Sequence, residues 1–240
     1  MRGALALLPI ATLLLACEGE PAESTPRMPR RGELNAHVLA VVKTYPTDGT
    51  HGYYWPRTGT WLGITRTLRY DGQVLGRGDP QGRCHCSGLT FEVFLRAWER
   101  WCRAVDRPYR ILDLDIEGVR RLQREWFGAS GDRATLHTAI TKNGLGVRVK
   151  DWEKARAGDF VQLWRHSGSG HSCVFVRWVR EGKRIVGLRY WSTQSSTKGI
   201  GEREERFGTD GSTLKRDELW ICRVGDPDRP PLPDEPRRAP

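Results

Sequence analysis

A chain of 240 residues with 38% hydrophobic and 28% charged content can build one good core with a tail at each end, in the manner of a soluble globular domain. Its net charge of +10 and pI near 9.6 suit anionic wall polymers or lipid head groups, or simply a solvated basic surface. No lysine-rich block or RNA-binding aromatic signature accompanies that charge, which sets nucleic acid aside as a partner.

The first 17 residues decide the compartment. Met1-Arg2 is a short positive start, and the apolar run Ala4 to Leu15 is too short for a permanent membrane span. It ends in Leu14-Leu15-Ala16-Cys17, which resembles the lipobox of bacterial lipoproteins. The resemblance implies cleavage before Cys17, lipidation of that cysteine, and export to the cell envelope. With Glu18 following, it implies the outer membrane in a Gram-negative source. Residues 18–33, rich in proline and charge, read as a flexible tether, and the proline-rich residues 225–240 as a disordered tail. One domain, 34–224, lies between them.

Within it, Asn35 to Lys43 reads as a strand or a short helix around Val38-Leu39-Ala40-Val41-Val42. Residues 44–83 read as loop, with Tyr53, Tyr54, Trp55 and Trp61 forming a mini-core or a glycan contact. A helix is predicted over Ser87 to Val105, because Leu89, Val93, Phe94, Ala97, Trp98, Trp101 and Val105 share one face and Glu92, Arg96, Glu99, Arg100 and Arg103 the other. Asp115 caps a second helix that Gly128 stops, and a third covers Thr135 to Thr141 before Asn143-Gly144. Strands follow at Phe160–Trp164, Ser172–Val179, Arg184–Tyr190 and Glu218–Val224, with a tight turn at Glu181-Gly182-Lys183. Helices followed by an antiparallel meander make an α+β fold.

Export exposes the five cysteines after Cys17 to oxidation. Cys173 with Cys222, both in strand-like runs, and Cys84 with Cys102 are the expected disulfides, which leaves Cys86 free. That cysteine follows a glycine-containing loop, Gly82-Arg83-Cys84-His85, and opens the first long helix. A helix N-terminus favours thiolate, the form a cysteine nucleophile needs. A histidine must share its proton, and a third group must hold the imidazole. Of the six histidines, His171 is the best placed, delivered by the loop Ser167-Gly168-Ser169-Gly170 to the start of a buried strand, with His166 in reserve. Cys84-His85-Cys86 has ligand types for zinc, but no second pair completes a familiar site.

Cys86-Ser87-Gly88-Leu89 at a helix start resembles the cysteine motif of the NlpC/P60 group of papain-like cell-wall peptidases, typically Asp-Cys-Ser-Gly-Leu. Ala157-Gly158-Asp159-Phe160-Val161 is similar to that group's Gly-Asp-Leu-Val strand, and Gly170-His171-Ser172-Cys173-Val174-Phe175-Val176 to its Gly-His-Val-Gly-Ile-Tyr-Val strand. The likeness covers residues 82–200. His85 stands where the group has aspartate, and the stretch between Cys86 and His171 is longer than in compact members.

The resemblance implies a papain-like fold and a cysteine peptidase or amidase that needs no cofactor or metal. It implies peptidoglycan stem peptides, or another small peptide, as substrate. Cys86 would attack, His171 relay the proton, and Gln194 or Ser192 orient the imidazole, with Gln194 favoured. Gln81, by its resemblance to the glutamine of papain, is an oxyanion donor beside the Cys86 amide. A non-catalytic surface lipoprotein that binds wall or a partner protein is the alternative. Oligomeric state is not legible.

Overall fold

In the computed structural model of the chain, the described residues are 34–56 and 63–225. The leader with Cys17, the tether 18–33, Trp61 and all but the first residue of the tail lie outside them. No helix among the described residues is long and apolar enough to cross a membrane.

Helices α1 (Leu34–Val42), α2 (Cys86–Ala104), α3 (Ile116–Trp126) and α4 (Leu136–Lys142) precede most of the strands, and a short hairpin of β1 (Leu68–Tyr70) and β2 (Gln73–Gly76) lies between α1 and α2. The main sheet holds β3 (Gly146–Arg148), β4 (Phe160–Arg165), β5 (Gly170–Glu181), β6 (Arg184–Gln194), β7 (Gly199–Arg206) and β8 (Leu214–Val224). Its order is β3-β8-β4-β5-β6-β7, with every neighbouring pair antiparallel. The expected α+β class holds. β4 to β7 form the meander, and β8 returns to close its β4 side.

The caps follow the sequence. Asp115 accepts the Gly118 amide at 2.7 Å to open α3, as a short acidic side chain does at an N-cap. Gly182, at φ +57°, makes the β5–β6 turn that L side chains resist. In α1 the spacing of Leu34, Val38 and Val41 settles helix over strand, since all three are buried.

Apolar side chains pack on both faces of the sheet. On one, Phe160, Val174, Trp191 and Cys222 meet the helices. Trp126 of α3 packs edge-on to Phe91 and Phe160 and donates its indole N–H to Thr90 Oγ1 at 3.1 Å. On the other face, Val161, Cys173, Phe175, Leu188 and Ile221 form a second core, with Trp152 stacked between Trp178 and Phe207.

Two details of α2 depart from the amphipathic reading. Val105 is the C-cap and 43% exposed. Glu92, expected outside, is fully buried: its carboxylate accepts Tyr45 Oη at 2.8 Å, the Thr65 amide at 2.7 Å and Thr65 Oγ1 at 2.8 Å. One ion thereby fastens two loop segments to the helix, and its acceptor capacity is filled, as burial of a charge requires.

None of the expected disulfides exists; Cys84, Cys102, Cys173 and Cys222 are free and buried, as is Cys86. Cys84 and Cys102 stand at opposite ends of α2, separated by roughly 24 Å of helix, far beyond bridging range. Cys173 pairs with Val161 and Cys222 with Phe160, on strands flanking β4. Consecutive residues of β4 face opposite ways, so the two thiols lie on opposite faces of the sheet.

Candidate active site

The loop before Cys86 is stitched on three sides. Asp79 accepts the amides of Gln81 and Arg83 at 3.0 and 3.1 Å and pairs with the Arg83 guanidinium at 2.9 and 3.0 Å. Cys84 N–H donates to Gly52 O, Tyr54 N–H to Cys84 O, and His85 N–H to Gly63 O. His85 then caps α2: its Nδ1 accepts the Gly88 amide at 3.1 Å. A neutral imidazole thus does the work of an aspartate at this N-cap, and burial pushes its pKa down to about 4. Its ring lies between Trp55 and Phe127, 4.7 and 5.2 Å from their centroids.

Gly63 is fixed by that ring. It sits at φ +64°, and a Cβ there would fall 2.0 Å from His85 Cδ2. Gly63→Ala is therefore expected to displace the cap and cost about 2–3 kcal/mol, through a strained φ and a steric clash together. Urea denaturation would measure it.

Cys86 and His171 line one cleft of about 510 Å³, together with Trp55, Ser87, Phe127 and Asp132 among others. The Cys86 thiol is in contact with Ser87 Oγ at 3.9 Å and receives the backbone N–H of Ser172, the residue after His171. The two side chains come from different elements, the first turn of α2 and the start of β5. Gly170, just before His171, lies under the Trp164 indole, where a Cβ would come within 2.8 Å of the ring.

Burial governs the protonation of both groups. It pushes the Cys86 thiol up, against the lowering effect of the Ser172 amide. This reverses the expectation that the helix N-terminus would favour thiolate; desolvation outweighs it. Burial, with Arg165 and Arg203 nearby, pushes the His171 pKa down to about 3. The resting pair is a neutral thiol and a neutral imidazole.

Acid should therefore loosen the protein. His85 and His171 stay neutral in the fold until pH falls to about 4 and about 3, whereas unfolded histidine charges near 6.5. Between those values the unfolded chain binds more protons, so stability is complete above pH 6.5 and drains as pH falls through the window. Each imidazole contributes a slope of about 1.4 kcal/mol per pH unit. Urea midpoints measured between pH 7.5 and 4 would trace this decline.

The other expected site residues fall variously. Gln194 is buried at the end of β6, where its Oε1 accepts the Tyr190 hydroxyl at 3.0 Å. The β5–β6 ladder stops at Val174–Trp191, and with Gln194 Nε2 and His171 Nε2 both without a hydrogen-bond partner the expected bond to the imidazole is not formed. Ser192 gives its hydroxyl to Ser172 O at 2.8 Å, which ties β6 to β5 beside the site. Gln81 is exposed in the Asp79 turn and does not line the cleft, so its oxyanion role fails on geometry. The first amides of α2, those of Cys86 and Ser87, sit where helix N–H groups lack intrahelical acceptors. His166 is exposed in the β4–β5 turn, away from the cleft lining.

Asp159, from the Gly-Asp motif, is structural: it accepts Asn35 Nδ2, the Arg156 amide and two Arg223 nitrogens, all at 2.8 Å. Gly158 before it, at φ +91°, abuts Asn35 O.

Sequence reasoning missed Arg165, Tyr190 and Glu205, a buried cluster beside His171. Arg165 Nε and Nη2 bind the two Glu205 oxygens at 2.8 and 2.7 Å, and Tyr190 Oη lies 2.9 Å from Glu205 Oε1. A signal existed: an arginine and a tyrosine at inward positions of strands need a polar partner. Among the described residues, no three His, Cys, Asp or Glu side chains gather as a metal site.

Comparison of the chain with protein-family models, with curated proteins and with solved structures yields no match.

Proposed function

We propose that this chain is a papain-like cysteine hydrolase of the bacterial cell envelope, tethered through a lipidated Cys17, which cuts amide bonds in peptidoglycan stem peptides. One observation carries the reading: a helix-N-terminal thiol and a strand-borne imidazole, remote in sequence, line the same cleft. The three motifs quoted above, in the order of the papain-like group, support the fold and the substrate. The tether places the hydrolase at the surface it would act on.

The chemistry starts from the neutral pair. As Cys86 Sγ bonds to the substrate carbonyl carbon, its proton passes to His171. The carbonyl oxygen, now negative, takes the amides at the start of α2. Collapse expels the amine, which leaves with the proton from His171, and the acyl group stays on Cys86 as a thioester. Water, deprotonated by His171, then adds to the thioester, and the thiol regains its proton as the acid departs. No cofactor enters this sequence.

The test is digestion of purified cell wall by the full-length protein, with released fragments identified by mass spectrometry. Soluble peptides cut at one bond type are expected, and their release should stop after iodoacetamide treatment. Intact wall after prolonged incubation would overturn the reading.

One observation favours a second reading, a non-catalytic lipoprotein that binds wall or a partner: burial drives thiol and imidazole away from the charged pair. The two readings part on alkylation. If His171 serves as base, His171→Ala should slow iodoacetamide labelling of Cys86 about 100-fold at pH 8. Equal rates in the two proteins would favour the binding module.

A further inference from the structure

The cleft that holds Cys86 and His171 is walled by aromatic rings, Trp55, Phe127 and Trp164 among them. Among the described residues that line it, Asp132 alone carries a formal charge at neutral pH. A negative cleft runs against the balance of the chain, which has 39 lysine and arginine residues to 29 aspartate and glutamate. Asp132 stands on the connection between α3 and α4, outside all three motifs of the sequence.

The carboxylate is held in place but not neutralised. Its Oδ2 accepts the Thr138 hydroxyl and its Oδ1 the Ala134 amide at 2.8 Å. Those two bonds hold its pKa below the ordinary carboxylate value, and each oxygen keeps a further lone pair. No cation among the described residues pairs with it. Arg133, next in the chain, lies 4.1 Å from the centre of the Trp164 ring and donates its Nε–H to Glu218 at 2.6 Å. His137 is neutral above about pH 4. Arg165 and Arg203, near His171, both pair with Glu205.

Trp55 adds a second feature. It is 52% exposed while lining the cleft, and its ring stands 4.7 Å from that of His85. A half-exposed indole attracts an ammonium group through its face, and a carboxylate in the same apolar-walled space adds a poorly screened attraction.

We propose that this cleft selects ligands that carry a primary ammonium group, with the Asp132 carboxylate as counter-ion and the Trp55 indole as aromatic wall, so that Asp132 sets the charge preference at Cys86. The inference rests on the hydrolase reading for its substrate, an amine-bearing peptide, but the charge preference itself is a property of the folded cleft.

The test is labelling of Cys86 in the full-length protein by 2-bromoethylammonium, bromoacetamide and bromoacetate, located by peptide mass spectrometry. Each rate is divided by that reagent's rate with free N-acetylcysteine. The cation should be favoured over the anion by about tenfold at low salt, and by less at high salt. Asp132→Asn keeps an acceptor for the Ala134 amide and should bring the ratio close to one. Asp132→Glu keeps the charge, should retain part of the preference, and guards against a folding defect in the first variant.

A second reading needs no reaction at sulfur. In protein with isotope-labelled tryptophan, the Trp55 indole N–H signal, assigned by its loss in Trp55→Phe, should shift saturably with n-butylammonium and not with butyrate, and the shift should vanish in Asp132→Asn. Equal or anion-favouring rates in the wild type, a ratio unchanged in Asp132→Asn, or no saturable shift with n-butylammonium would overturn the proposal. Wall digestion is read separately: hydrolysis without a charge preference sinks the role of Asp132 alone, and a charge preference in a protein that never digests wall sinks the hydrolase alone.

Discussion

The substitution Cys86→Ala is expected to cut release of peptide fragments from cell wall by at least about 10⁴-fold, while the fold survives. Removing a nucleophile removes the covalent route altogether, and what remains is the small advantage of binding and of the helix-terminal amides. The structural cost is low by comparison. The thiol is buried, but it touches the serine hydroxyl beside it only loosely, at 3.9 Å, and a lost sulfur leaves a cavity worth about 1 kcal/mol. Fragment release followed by mass spectrometry, with thermal melting of the same samples, checks both halves. Cys86→Ser should be nearly as inactive, since an imidazole with a pKa near 3 is too weak a base for a hydroxyl. Full activity in Cys86→Ala would remove the mechanism.

The largest stability effect is expected at the ion pair beneath β4. Arg223→Ala should cost 3–5 kcal/mol, the range for breaking a buried pair on one side, and lower the melting point by about 10 °C for a domain of this size. Asp159 is fully buried, and Arg223 supplies two of its four hydrogen bonds. Burial already pushes this carboxyl up, with Arg223 the main counterweight. Without the guanidinium the group would rise further and take a proton as pH falls, so the defect should shrink in acid. Adding Asp159→Asn to Arg223→Ala should recover part of the loss at neutral pH. Glu99 and Arg103 provide the contrast: their bond is 2.9 Å but exposed, and Glu99→Ala should change stability by less than about 0.5 kcal/mol. Urea titration of the four proteins would check the ranking.

Periodicity carried most of the fold. The α2 stripe, the Asp115 cap and the Gly182 turn are local signals, each with one dominant physical cause, and each was readable from the sequence. The β7 strand was not, because Gly199-Ile200-Gly201-Glu202-Arg203-Glu204-Glu205-Arg206 has almost no apolar side chain; its buried positions are two glycines, Ile200 and the Glu205 carboxylate. The same substitution of charge for apolar surface hid the burial of Glu92. Cys86 and His171 were legible as candidates because both stand at element boundaries, where glycine and small residues mark the chain. The polar cluster behind His171 was not, since it assembles from β4, β6 and β7 and depends on register. Cysteine pairing failed for a related reason: strand parity decides which face a thiol occupies, and parity requires knowing which strand lies between.

The five unpaired thiols among the described residues have a consequence for how such a chain is made. Cys84, Cys173 and Cys222 are fully buried, so oxidants in the surroundings cannot touch them until the fold opens, whereas Cys86 lines the cleft. For those three the hazard is confined to the interval before burial, when any two sulfurs of the chain can join. Swift collapse, or a chaperone that holds the nascent polypeptide reduced, then becomes a condition of biogenesis, and recombinant material made in an oxidising compartment should accumulate scrambled species that a thiol buffer converts back to monomer.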